Sequence, residues 1–192
     1  MLAIGIDPGL DGAIVALDAE DGHIVSVQVM PTIVVGKGRE YDHKKIHGVL
    51  QLGPIFQYPV GIVAIEEGHS FPHRKGKPNP CPVCHRDRNL QAEGSKSAER
   101  IGYGRGMLIH ACTVLDYKHV TVPPRTWQSI LPSRSKPIKD AVARFVLDFF
   151  GGEEIPMTPR SHRPHQGACD AAAIALWAAR KYRSLGDADG KP

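Results

Sequence analysis

Three short apolar segments lie close together at the N-terminus, and they constrain the fold more than any other feature. Residues 2–6, 12–17 and 23–30 each read as a strand, and turn-forming residues such as Asp-Pro-Gly separate them. Connections this short cannot carry a parallel crossover, so the three strands are expected to form an antiparallel meander. Two further strands are predicted over residues 61–67 and 119–122.

The remaining patterned segments predict helices. They cover residues 42–57, 95–115, 126–131, 137–150 and 166–182, with Asp42 as a cap at the start of the first and Gly151-Gly152 after the fourth. Strands followed by alternating helices and strands predict an α/β fold with a five-stranded mixed sheet flanked by helices. We expect a single domain over residues 1–184 and a flexible tail over 185–192.

The composition narrows the class of partner. The chain has a net charge of +4, a pI near 8.9 and 10 histidines, which suits a polyanion such as nucleic acid. Mean hydropathy is -0.23, and no apolar run is long enough to span a membrane. The N-terminus has no features of a secretory signal, so we expect a cytoplasmic protein with no membrane partner.

Three acidic residues follow apolar segments where a charge is costly. Asp7 and Glu66 end predicted strands, and Asp170 lies on the last helix. Each alone has an ordinary structural explanation, as a turn residue, a strand-end residue or a polar helix position. Together they predict a site for two divalent ions, Mg²⁺ or Mn²⁺, of the kind that supports phosphodiester hydrolysis. Glu67 is the weaker candidate ligand because neighbouring strand residues point to opposite faces.

The motifs around these acids resemble one nuclease family. Ile-Gly-Ile-Asp-Pro-Gly-Leu-Asp-Gly-Ala, Ala-Ile-Glu-Glu, Gly-Tyr-Gly-Arg-Gly and Cys-Asp-Ala-Ala-Ala-Ile-Ala occur in the order seen in RuvC-family Holliday junction resolvases. Val-Pro-Pro-Arg-Thr-Trp and Ser-Lys-Pro-Ile-Lys-Asp are most similar to the phage and chloroplast-type branch. The resemblance implies an RNase H-like fold, a homodimer, and Mg²⁺-dependent paired symmetric nicks in four-way DNA junctions. The nicks would leave 5′-phosphate and 3′-hydroxyl ends, in a bacterial or phage-infected cell.

The resemblance also implies roles for individual residues. Asp7, Glu66 and Asp170 match the family's metal-binding acids, and Lys136 matches a basic residue near the scissile phosphate. The family usually has a fourth acid just before the last one; here His165 is the candidate substitute, as metal ligand or general base. The alternative is that His165 is a loop histidine on the phosphate backbone. Further DNA-binding candidates are Tyr103, Arg105, Arg125, Arg134 and Lys139.

A Cys/His-containing insertion over residues 69–94 lies outside the resemblance. His69, His73, Cys81 and Cys84 have the spacing His-x3-His-x7-Cys-x2-Cys, which predicts a structural Zn²⁺ site. His85 could replace one of the histidines, and two subunits could share the ion. The other interpretation is a basic loop with free thiols.

The same sequence features are compatible with other functions. The same acids would serve an RNase H-like nuclease that cuts RNA–DNA hybrids or other branched DNA. A non-catalytic junction-binding module with a zinc loop would belong to a different class. A sugar-kinase-like or actin-like ATPase is disfavoured, because the chain is short and shows no second Gly-rich phosphate motif.

Overall fold

The structure of the protein is a computed structural model. It describes residues 1–51, 58–68, 73–74, 82–84, 90–91, 95–132, 140–152, 154–159 and 162–189. The strands are β1 (Leu2–Asp7), β2 (Ala13–Asp18), β3 (Ile24–Val29), β4 (Thr32–Val35), β5 (Gly38–Tyr41), β6 (Val60–Glu66), β7 (His73–Arg74), β8 (Leu90–Gln91) and β9 (His119–Val122). The helices are α1 (His43–Leu50), α2 (Ser95–Val114), α3 (Pro124–Trp127), α4 (Ala141–Phe150) and α5 (Gln166–Asp189), with a 3-10 turn over Gln128–Ile130.

The main sheet has five strands in the order β3-β2-β1-β6-β9. The β1–β2 and β2–β3 pairs are antiparallel, whereas β1–β6 and β6–β9 are parallel. The predicted N-terminal meander and the mixed five-stranded sheet are therefore confirmed. Because β1 and β6 run in the same direction, their carboxyl ends lie side by side.

Hydrophobic residues cover both faces of this sheet, and the alternation of β1 explains the division. Leu2, Ile4 and Ile6 face one side, where they pack with α1 and α2. Ala3 faces the other side, together with Ala13 and Ala64. The residues of α5 on that side are also mostly small, with a run of buried alanines between Ala168 and Ala179. Small residues on both surfaces allow the helix to lie close to the sheet.

Several elements differ from the sequence prediction. The hairpin of β4 and β5 was not predicted, although Gly36, at φ +59°, occupies a two-residue turn typical of such hairpins. Asp42 caps α1 as expected, its carboxylate accepting a hydrogen bond from Lys45 N at 3.0 Å, but the helix ends at Leu50. α5 continues to Asp189, beyond the predicted end of the last helix at residue 182.

The predicted insertion contains a short two-stranded ladder, in which β7 pairs antiparallel with β8. Within the parts of the chain that the structure describes, no helix has the length and apolar character needed to cross a bilayer.

Candidate functional site

Asp7 lies at the carboxyl end of β1, in the turn that leads to β2. Its Oδ1 accepts a hydrogen bond from Gly9 N at 3.1 Å, which holds the carboxylate over the Asp-Pro-Gly turn. The Tyr41 hydroxyl donates to the carbonyl of Pro8 at 2.7 Å and fixes the same turn from the other side. Burial raises the pKa of Asp7, and the Gly9 hydrogen bond and the nearby His165 oppose that rise.

Glu66 ends β6, the parallel neighbour of β1. The register pairs Ile6 with Ile65, so the next residue on each strand is an acid. The buried indole of Trp127 donates from Nε1 to Glu66 Oε1 at 3.2 Å. Burial, and then the charge of Asp7, raise the pKa of Glu66 to about 7. Trp127 was not identified as a functional residue from the sequence, although it lies in a motif that carried the family resemblance.

Asp170 is brought to these strands by the close approach of α5. A Cβ atom added at Gly5 of β1 would lie 2.8 Å from Ala175 Cα, and one at Gly167 of α5 would lie 2.6 Å from Gly12 Cα. Glycine at both positions therefore permits backbone contact between the helix and the β1–β2 unit. Gln166 Nε2 donates to Asp170 Oδ1 at 2.9 Å. Burial, and then the charge of Asp7, raise the pKa of Asp170 to about 7.

The three acids thus form one electrostatically coupled group at one end of the sheet. The charge of Asp7 raises the pKa of both Glu66 and Asp170, and Asp170 also raises that of Glu66. The oxygens of the three acids do not all lie within 4.8 Å of one another. Among the described residues, three potential metal ligands lie that close together only at Asp18, Asp21 and His23. That second group lies at the opposite end of β2. Partly buried carboxylates that repel one another fit a divalent cation, which prefers oxygen ligands and offsets their charge.

His165 immediately precedes α5 and caps it. Its Nδ1 accepts a hydrogen bond from Ala168 N at 3.2 Å, and its carbonyl accepts from the same nitrogen at 3.0 Å. In the neutral ring the proton then lies on Nε2. Neither nitrogen has a free lone pair in this arrangement, so binding a cation or accepting a proton requires the cap to be released. The His165 side chain lies near enough to Asp7 that a positive charge on its imidazole would lower the pKa of that acid.

The predicted DNA-binding residues divide into two groups. Arg105 Nη1 lies 3.9 Å from Glu67 Oε1, which places this partly exposed cation next to the end of β6. Tyr103, two residues before Arg105 on α2, is 55% exposed, and Arg125 is exposed on α3 after the carboxyl end of β9. These three side chains lie on elements that border the acids. Arg134, Lys139 and the predicted phosphate-site residue Lys136 lie outside the described residues.

The predicted zinc ligands are only partly described. Cys84 is exposed in a turn over 82–84, and the backbone of His73 lies in β7. His69 and Cys81 lie outside the described residues, so the Zn²⁺ site stays a prediction from spacing.

The comparisons with known proteins identify the fold. Thermus thermophilus RuvC in complex with a Holliday junction substrate has a TM-score of 0.59 and 21% sequence identity, covering 96% of each chain. A second Thermus thermophilus RuvC structure has a TM-score of 0.57 and 23% identity, covering 97% of each chain. No protein-family model matches this sequence, and no curated protein matches it significantly. The prediction of a RuvC-like, RNase H-like fold is therefore confirmed.

Proposed function

We propose that the chain is a metal-dependent endonuclease that resolves four-way DNA junctions by paired symmetric nicks, leaving 5′-phosphate and 3′-hydroxyl ends. The observation that carries this proposal is the coupled group of Asp7, Glu66 and Asp170, which come from three separate segments of the chain. The pKa of each of them is raised by burial. One of the structural neighbours was solved with a Holliday junction substrate, which favours this kind of DNA over other polyanions.

The electrostatics of the three acids favour a bound cation. At neutral pH and without a bound cation, Glu66 and Asp170 would be only partly ionised, because the pKa of each is about 7. Asp7, Glu66 and Asp170 would hold Mg²⁺ or Mn²⁺, with two ions in the site. Such ions supply Lewis-acid chemistry, activating water and offsetting charge on the leaving oxygen of a phosphodiester.

The chain's own residues would orient the ligands. Each acid receives one hydrogen bond from a neighbour: Gly9 N for Asp7, the Trp127 indole for Glu66, and the Gln166 amide for Asp170. These donors restrict the carboxylate rotamers before metal or DNA arrives. Lys136 would add positive charge near the scissile phosphate, as the family resemblance implies.

We propose a homodimer, because two symmetric nicks in one junction require two equivalent sites, which a two-fold symmetric dimer supplies. The residues that would bind DNA around each site are Tyr103, Arg105, Arg125, Arg134 and Lys139. Contacts of the basic residues to phosphates make DNA binding weaken as the salt concentration rises.

Replacing Asp7 by Asn tests the proposed chemistry. Asn preserves the size of the side chain and an oxygen for the Gly9 hydrogen bond, but removes the charge. We expect D7N to bind a synthetic four-way junction and to lose Mg²⁺-dependent nicking, as measured by gel shift and by denaturing gels. The matched control is Asp148→Asn, at an exposed position of α4.

The outcomes separate the alternatives. Nicking by D7N at the wild-type rate would mean that the metal site is wrongly assigned. Cutting of an RNA–DNA hybrid by the wild type, with no cutting of the junction, would replace the proposed substrate. Stable junction binding with no effect of Mg²⁺ on DNA integrity would indicate a non-catalytic module.

The role of His165 needs a variant that keeps the helix cap. Asparagine is a strong N-cap residue, so His165→Asn removes the imidazole while an acceptor for Ala168 N remains. We expect nicking to fall by about 10²-fold, with the free energy of unfolding changed by less than ~0.5 kcal/mol. Unchanged nicking would limit His165 to capping.

A further inference from the structure

A cavity of about 420 Å³ opens beside the acid site, and the function proposed above assigns it no ligand. It lies between the turn after Asp7, the β4–β5 hairpin and α2. Its volume is within the ~300–1,000 Å³ typical of small-ligand sites, which is large enough for a nucleotide.

Three aromatic rings line this cavity. The Tyr103 hydroxyl lies 2.9 Å from His43 Nε2, and the two rings meet edge to face with centroids 5.7 Å apart. The Tyr41 ring is 6.4 Å from the Tyr103 ring at an interplanar angle of 43°. Tyr103 is the exposed member, at 55% of its surface. Exposed aromatic faces beside a cationic surface are the usual platform for unpaired nucleobases.

The polar side chains around the rings carry both signs of charge. Arg39 and Arg100 line the cavity, and Glu40 and Glu99 lie beside them. Arg39 is anchored to the turn after Asp7 by an ion pair of 2.5 Å with Asp11. A purely anionic ligand would be repelled by the two carboxylates. A nucleobase, by contrast, presents donors as well as acceptors on its edges, and its phosphates suit the arginines.

The cavity is joined to the acid site through Tyr41. The hydroxyl that contacts Pro8, the residue after Asp7, belongs to the same side chain that forms a wall of the cavity. Gly104 makes this placement possible, since a Cβ atom there would lie 2.5 Å from Tyr41 Cζ. On either side of Tyr103, Gly102 and Gly106 have open space where a Cβ would be, so the backbone of α2 is accessible. A DNA strand that reaches Asp7 would therefore pass this cavity.

We propose that the cavity receives one unpaired nucleobase from the strand that enters the acid site, with Tyr103 as the stacking residue and Arg100 near the adjoining phosphate. This inference rests on the proposed function, because it takes branched DNA as the ligand. Bases next to a branch point are the least costly to unstack, so the junction itself would supply the base.

A double-mutant cycle between protein and DNA tests the inference. Dissociation constants would be measured without divalent metal for a four-way junction and for a series in which one nucleotide near the branch point is abasic. The proteins are the wild type, Tyr103→Ala, Tyr103→Phe and the matched control Tyr58→Ala. Tyr58 is also exposed, but it precedes β6 at the opposite end of the sheet from the acids.

We expect Y103A to bind the intact junction on the order of tenfold more weakly, since loss of one stacking ring has an effect of that size. Y103F keeps the ring and should bind as the wild type does, as should Y58A. At one nucleotide position, the abasic site should weaken binding by the wild type as much as Y103A weakens binding to the intact junction. There, combining it with Y103A should add no further loss.

Other results overturn the inference in distinguishable ways. Equal binding by Y103A and the wild type, or additive losses at every abasic position, would exclude a base in this cavity, while junction binding itself would still support the proposed function. Failure of the wild type to bind any junction would overturn the proposed function, and this inference with it.

Discussion

Neutralising Asp170 should stabilise the metal-free protein. At about pH 8 without divalent ions, the three partly buried carboxylates are ionised and repel one another. Asp170→Asn removes one of these charges at almost constant volume. The amide oxygen of Asn can still accept the hydrogen bond from Gln166. A substitution in the proposed active site is therefore expected to raise the free energy of unfolding.

The magnitude follows from the pKa of the side chain. Burial and the charge of Asp7 raise it from 3.8 to about 7. At ~1.4 kcal/mol per pH unit, that rise corresponds to at most ~4 kcal/mol. Water that enters the cleft screens part of the repulsion, so we expect a gain of ~2 kcal/mol at about pH 8.

The stability difference between D170N and the wild type should depend on pH. The carboxyl group binds its proton more tightly in the folded than in the unfolded chain, so wild-type stability is highest below the unfolded pKa. The contribution of this carboxyl group to stability is then lost as the pH rises through its folded pKa of about 7. D170N lacks this group, so its advantage should be small near pH 4, grow through the window up to pH 7, and level off above it.

Urea unfolding in EDTA at several pH values measures this difference. The matched control is Glu20→Gln, at an exposed position in the β2–β3 turn, which should change stability by less than ~0.5 kcal/mol. Adding Mg²⁺ should stabilise the wild type more than D170N, because binding to the folded state adds to its stability. A variant that is no more stable than the wild type at about pH 8, or a pH-independent difference, would refute the reasoning.

Three further predictions concern the residues that support the site and the insertion. Gly5→Ala should lower the free energy of unfolding, measured in urea, by more than ~3 kcal/mol, because the added Cβ would clash with the backbone of α5. The control is Gly48→Ala, at an exposed position of α1 with open space, which should leave that free energy unchanged or raise it. Trp127→Phe removes the donor to Glu66, so Mg²⁺-dependent nicking should fall while gel shifts show junction binding retained; normal nicking would show that Glu66 needs no such support. Protein purified without added zinc should carry about one Zn²⁺ per chain by elemental analysis and lose it in Cys81→Ser; a metal-free wild type would contradict the predicted site.

The sequence alone gave the correct class of fold because its strongest signals are local. Short apolar segments separated by turns predicted the meander, and the helix that carries Asp170 showed its apolar character directly. The β4–β5 hairpin was missed, since most residues of its strands are exposed and the one buried residue, Tyr41, produces no alternating pattern. Its Gly36 turn was the available signal.

The candidate site divides in the same way. Asp7 and Glu66 were predictable because each ends an apolar strand, and parallel pairing of those strands then makes them neighbours. Whether Asp170 joins them depends on how close α5 lies to the sheet, and that distance is set by Gly5 and Gly167 against backbone atoms far away in the chain. The indole on Glu66 and the imidazole cap of α5 likewise depend on tertiary contacts. The sequence determined which acids are costly to bury, and the tertiary structure decided which of them share one electrostatic field, because that field depends on distances between segments.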